Sequence, residues 1–287
     1  IATSSLDCTA KVWSRLTGNC KQVLSGHTAP VTSVDFSADG ARLLTGSEDG
    51  TARCWNIGTG EETLRLKDSG AGMNSAVFSP DDSMVLAGCV DCTARIWSMD
   101  TGKCVKRLSN HDDVVNSANF SNDGALAITG SVDHRGRIFV VATGHCITSL
   151  EGHSSMLNSA AFSADDLLAI TASSDGTSRI WSASTGKCMH ILQCDGGWVH
   201  SAKFSACNSF AVTASGDGSV AVWNAGTGER SSSLHGKHGA KSAVFSADAS
   251  YLLTADGSDA KIWSIATGEC VQSLEGHPFS VTGVAFY

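Results

Sequence analysis

The sequence predicts an all-β fold, a seven-bladed β-propeller of four-stranded antiparallel blades. Three periodic series predict it. Trp13, Trp55, Trp97, Phe139, Trp181 and Trp223 stand 42 residues apart, and Trp263 follows after 40. A Thr-Gly pair trails each aromatic at a nearly constant offset, ending at Gly18, Gly60, Gly102, Gly144, Gly186, Gly228 and Gly268. Phe36, Phe78, Phe120, Phe162, Phe204, Phe245 and Phe286 form a third series, followed by Ser in all but the last. Units of about 41 residues built from short strands cannot bury a face alone, so neighbouring sheets pack radially into one core.

The second copy shows how each unit is built. Val31 to Phe36 alternates as a first strand, and Ser-Ala-Asp-Gly at 37–40 turns the chain. Ala41 to Thr45 is the second strand, and Asp49-Gly50 makes a tight turn into a third, Ala52 to Trp55. Thr59-Gly60 turns again and Thr63 to Leu66 is the fourth. No helical spacing of apolar residues persists through any unit, and glycine (30) rather than proline (3) punctuates the chain.

Composition narrows the function classes. Charged residues make up 17% and hydrophobic residues 42%, too apolar for disorder. No apolar run is long enough for a transmembrane helix. A net charge of −8 with no Lys/Arg block leaves no footprint for nucleic acid or an anionic membrane. The eleven cysteines are odd in number and scattered; Cys20, Cys104, Cys146, Cys188 and Cys270 share one repeat position and read as small hydrophobes in a strand. Cys89-Val90-Asp91-Cys92 lacks the second ligand pair of a zinc site, so no metal and no cofactor is expected. Reduced thiols point to an intracellular, cytoplasmic protein, the nucleus being the alternative. The chain opens at Ile1 in mid-pattern, which reads as a single domain over 1–287 excised from a longer chain and monomeric when isolated.

With these residues in view, the chain resembles the WD-repeat β-propeller family over essentially its whole length. The family's signature combines Gly-His before the first strand, Ser/Thr on the second, Asp in the next turn and Trp on the third. Gly26-His27, Thr45, Asp49 and Trp55 match it, as do Gly152-His153, Thr171, Asp175 and Trp181. A third set spans the termini: Gly276-His277 with Thr3, Asp7 and Trp13. Indole N–H, hydroxyl, imidazole and carboxylate should satisfy one another in a buried network.

Other copies depart from the pattern and are expected to hold less firmly. The Trp97 copy has Ala87 on its second strand and Ser69 at the His position. The Phe139 copy keeps His111, Thr129 and Asp133 without an indole, and carries His134-Arg135 in its turn. Asp195 stands at the His position before Trp223. The Trp263 copy is two residues short, with Lys237 at the His position and Gly257 at the nominal Asp position. Closure is expected from pairing of the strand near Val281 to Phe286 with that near Ile1 to Ser5, which leaves no sheet edge open.

Ser/Thr, His and Asp recurring together look like a hydrolase triad. An active site occurs once per protein, whereas this set recurs and includes a Trp, so catalysis is not expected. No glycine motif precedes a helix as a nucleotide loop requires. Acidic turn residues such as Asp39, Asp81-Asp82 and Asp165-Asp166 read as hairpin formers.

The surface is left. The resemblance implies partner binding on the face that carries the loop before the first strand. Five residues after each His position stand Thr32, Asn74, Asn116, Asn158, His200, Lys241 and Thr282, all polar, either a hydrated rim or a specific pocket. Three after it stand Pro30, Val114, Met156 and Trp198; Glu48 precedes Asp49. Trp198 lies outside the blade signature and is either an interaction anchor or a packing residue against Cys194-Asp195-Gly196-Gly197.

The resemblance therefore implies a non-catalytic scaffold that binds a protein or peptide, with Glu48, Met156, Asn158, Trp198, His200 and Lys241 as candidate contacts. The alternative is a sensor or autoinhibitory domain of a larger signalling protein; a propeller enzyme is the rival of another class.

Overall fold

The structure is a computed structural model that describes residues 1–68 and 70–287. Twenty-eight strands form seven four-stranded antiparallel sheets, and no helix long and apolar enough to cross a membrane occurs among the described residues. In the second copy the strands are Val31–Phe36, Arg42–Ser47, Thr51–Asn56 and Glu62–Lys67, within two residues of the limits the sequence pattern set. Each blade is named here by its third-strand aromatic.

The first strand of each blade is innermost and packs against the first strands on either side. Closure comes from Val281–Ala285 pairing antiparallel with Ala2–Ser5, so one blade is assembled from both ends of the chain.

Packing explains the 42-residue period. Each aromatic seats against the preceding blade: Trp55 lies with Ala10, Val12 and Leu24, Trp181 with Ile128, Ile138 and Leu150, and Trp13 with Leu253, Ile262 and Leu274. Phe139 fills the same seat against Leu86, Ile96 and Leu108 and is fully buried. Truncating such a ring to alanine costs on the order of 3–5 kcal/mol. The aromatic marks a bulge as well, since Trp55 faces Glu62 where the register slips by one residue. Gly60, just before, turns the chain at φ +76° with its N–H on the Asn56 carbonyl, a left-handed geometry that disfavours a side chain.

Cys20, Cys104, Cys146, Cys188 and Cys270 open the outermost strands, as their repeat position predicts; Cys104, Cys146 and Cys188 pack partly buried against blade cores, while Cys20 and Cys270 are exposed. The outermost strand has a blade neighbour on one side only, so this position borders solvent. In the Cys-Val-Asp-Cys segment, burial pushes the Cys89 thiol up to about 12, while Cys92 occupies a left-handed turn position at φ +66°.

Candidate functional site

The three full signature sets each form one hydrogen-bonded chain. The Trp55 indole N–H donates to Thr45 Oγ1 at 2.9 Å, Thr45 Oγ1 meets His27 Nε2 at 2.7 Å, and His27 Nδ1 meets Asp49 Oδ2 at 2.9 Å. Trp181, Thr171, His153 and Asp175 repeat this at 2.8, 2.8 and 2.7 Å. Trp13, Thr3, His277 and Asp7 do so across the termini at 2.9, 2.8 and 2.6 Å.

Electrostatics follow from burial and from the donors supplied. Burial alone would raise the Asp49 carboxyl, but hydrogen bonds from Thr51, His27 and the Thr28 N–H outweigh it and bring the pKa down to about 2. Burial lowers the His27 imidazole from its ordinary value, partly offset by Asp49. A neutral imidazole then donates through Nδ1 and accepts through Nε2, so each donor in the chain has one acceptor. Thr45 is fully buried and already accepts the indole, which leaves no nucleophile open to a substrate.

The divergent blades replace missing partners in different ways. Asp256, one residue before the nominal position and almost fully buried, accepts the Lys237 and His238 N–H groups and ion-pairs with Lys261. Shortening the turn moves the acid onto the strand, so Gly257 is not the acid's counterpart, and Trp263 still donates to Thr254 at 2.9 Å. In the Trp223 blade the partner is Cys194, whose thiol lies 3.6 Å from Thr213 Oγ1; Asp195 points outward to Arg230. In the Phe139 blade Arg137 binds both His111 and Asp133. Ser69 of the Trp97 blade lies outside the described residues.

The polar series forms a true ring. Thr32, Asn74, Asn116, Asn158, His200, Lys241 and Thr282 all line one cavity of about 140 Å³ at the channel mouth. Each falls at a bulge of its inner strand: Val31 pairs with Ser47 and Ser33 with Gly46, so Thr32 is the unpaired residue. Released from the ladder, these side chains bridge blades. Thr32 donates to the Met73 carbonyl at 2.8 Å, Asn116 to Leu157 at 2.9 Å, Asn158 to Val199 at 2.8 Å and Thr282 to Val31 at 2.5 Å, while Asn74 reaches Val115 at 3.3 Å.

Trp198 stands above this ring with 65% of its surface exposed, which decides against the packing reading. Its carbonyl is pinned by the Gly216 N–H at 2.9 Å, as Met156 is by Ser174 and Pro30 by Glu48, so the indole projects from a rigid frame. Met156 is also exposed, and Asn158 and His200 are half-buried below. The structure thus brings Asn158, His200 and Lys241 together from three successive blades, with Met156 and Trp198 exposed two residues before Asn158 and His200. Glu48 is exposed on the same face, with one inner strand between its blade and that of Lys241 and two between its blade and that of Met156, so it does not join them.

Sequence reasoning missed the inner channel. Lys203 and Asn119 line both the mouth and a cavity of about 510 Å³ at the opposite end, where Asp35 also lies. Burial raises the Asp35 carboxyl to about 6, against the Phe78 N–H at 2.9 Å and Lys203 across the channel. The available signal was a charge at a repeat position that elsewhere holds Val77, Ala161, Val244 or Ala285.

Comparison with known families finds five consecutive matches to WD40, described as WD domain, G-beta repeat, at residues 18–56, 60–98, 102–139, 144–182 and 186–224. Together these cover more than half of the chain. The shortened Trp263 blade and three of the four strands of the blade split between the termini fall outside the matched segments; the split blade's outer strand, Cys20–Ser25, lies within the first match.

Proposed function

This chain belongs to the WD-repeat family, and from that premise we propose that it is a non-catalytic scaffold that grips a protein or peptide segment at the channel mouth, with Trp198 as the anchor. The observation that carries this reading is the exposed Trp198 indole on a pinned backbone, with an exposed Met156 at the equivalent position of the preceding blade. A rigid aromatic of this kind loses little conformational freedom on binding and can supply on the order of 2 kcal/mol or more once desolvated. At the position that carries Glu48, Val90, Val132 or Ser174 in other blades stands Gly216, where a side chain would crowd the His200 ring and the Trp198 carbonyl.

Catalysis by the Thr-His-Asp sets is disfavoured by their burial and by the use of each hydroxyl as an acceptor for an indole. The deciding measurement compares captured partners for the parent chain and Trp198→Ala. Loss of capture by more than about tenfold with an unchanged melting curve supports the reading. An unchanged partner list moves the docking surface to another face.

A further inference from the structure

The circumferential seam of the channel mouth is interrupted in one sector. Five bulge residues bond the next inner strand, whereas His200 and Lys241, at consecutive positions, make no hydrogen bond or ion pair with any described residue. Lys203, three residues beyond His200 on the same strand, Val199–Phe204, likewise has none and lines the channel waist. Two ammonium groups and an imidazole therefore crowd one wall of a channel, in a chain whose net charge is −8.

A structural role does not account for this choice. Thr or Asn at the same position closes the seam in the other five blades, and gathering like charges on one wall of a partly enclosed channel, with Asp35 only on the opposite wall, is unfavourable. The nearest acid in the channel, Asp35, stands on the far wall, separated from the Lys203 strand by two inner strands on one side and three on the other. Its placement disfavours an anion on that wall and leaves the Lys203 side as the attractive one.

We propose that this wall is an oxyanion site, and that the group it takes is the carboxylate or phosphate of an acidic side chain on the segment docked at the mouth. The inference rests on the proposed docking surface only for the source of the anion. Lys241 and His200 meet the group at the rim and Lys203 faces it from below, through charge-assisted hydrogen bonds that are stronger than neutral ones. With Trp198 and Met156 immediately above, the residue next to the acidic one in the partner is apolar or aromatic.

The test follows the lysine ε-methylene resonances of the whole chain during titration with inorganic phosphate and with three short leucine-flanked peptides carrying glutamate, phosphoserine or glutamine. Saturable shifts of Lys241 and Lys203 with the anionic peptides and none with the glutamine peptide are expected. The better of the two names the oxyanion. Lys241→Met should weaken binding about tenfold or more, the size of one hydrogen bond to a charged group, and Lys241→Arg should restore it. Absence of a saturable shift with every anion, or a midpoint that Lys241→Met leaves unmoved, overturns the site. A response to phosphate that neither anionic peptide reproduces overturns the peptide source. If Trp198→Ala abolishes partner capture while the lysines ignore all anions, the docking surface stands and this inference fails. If the lysines respond to the anions while capture is indifferent to Trp198, the channel site stands without that surface.

Discussion

Trp97 Nε1 is buried without an acceptor among the described residues because Ala87 stands where Thr45 accepts the Trp55 indole. The ring keeps its apolar seat against Leu44, Ala52 and Leu66, so the blade keeps its packing but lacks its hydrogen bond. An unmet buried donor costs about 1–3 kcal/mol.

Restoring that acceptor should stabilise the protein. Ala87→Ser adds one hydroxyl at the position from which Thr45 serves Trp55, and a gain of about 1 kcal/mol, or roughly 2–4 °C in melting temperature, is expected. Thermal melting of the variant against the parent measures it. A lowered melting temperature would mean that the fully buried site has no room for the oxygen.

Asp49→Ala should destabilise by about 1–3 kcal/mol, because it strands the His27 ring N–H, the Thr28 and Thr51 N–H groups and the Thr51 hydroxyl. Asp217 is the control. It is exposed and serves only Ser219 in its own turn, so Asp217→Ala should cost clearly less. Equal losses in denaturant midpoints would contradict the network account.

Stability should begin to fall once the pH drops below 6.5. Burial lowers His27, His153 and His277 from 6.5, so in that window the unfolded chain takes up protons that the folded chain refuses. These three outweigh Asp35, which burial raises to about 6 and which acts in the opposite sense between there and 3.8. A second decline of the same sign starts below 3.8. Asp49 and Asp175 stay ionised in the fold down to about 2 while the unfolded chain is protonated. Urea midpoints measured across this range should show both steps, and a profile flat from pH 7 to 4 would refute the first.

Deleting the last ten residues should abolish cooperative unfolding or cause aggregation. It removes Val281–Ala285, which pairs with Ala2–Ser5 and carries Thr282 into the channel seam. The exposed edge of Ala2–Ser5 would then be open to pairing with other chains. A monomeric truncation with an unchanged transition would show that the ring does not depend on this strand.

Blade number, strand order and the signature networks were legible in the sequence, because each depends on local alternation, turn chemistry and a constant period. The substitutes were not. Cys194 for an imidazole and Asp256 for a turn acid come from neighbouring positions, and only the folded register shows which side chain reaches the gap. The channel was decided by tertiary structure for a related reason. Strict alternation would assign Thr32 and Ser33 to opposite faces, but the bulge at Thr32 resets the parity and turns that residue inward. Whether a polar bulge residue closes the seam or stays free depends on a carbonyl of the next blade about 41 residues away, which sequence spacing alone does not supply. The exposure of Trp198 and the facing of Lys203 and Asp35 across the channel likewise exist only once seven inner strands have closed into a ring.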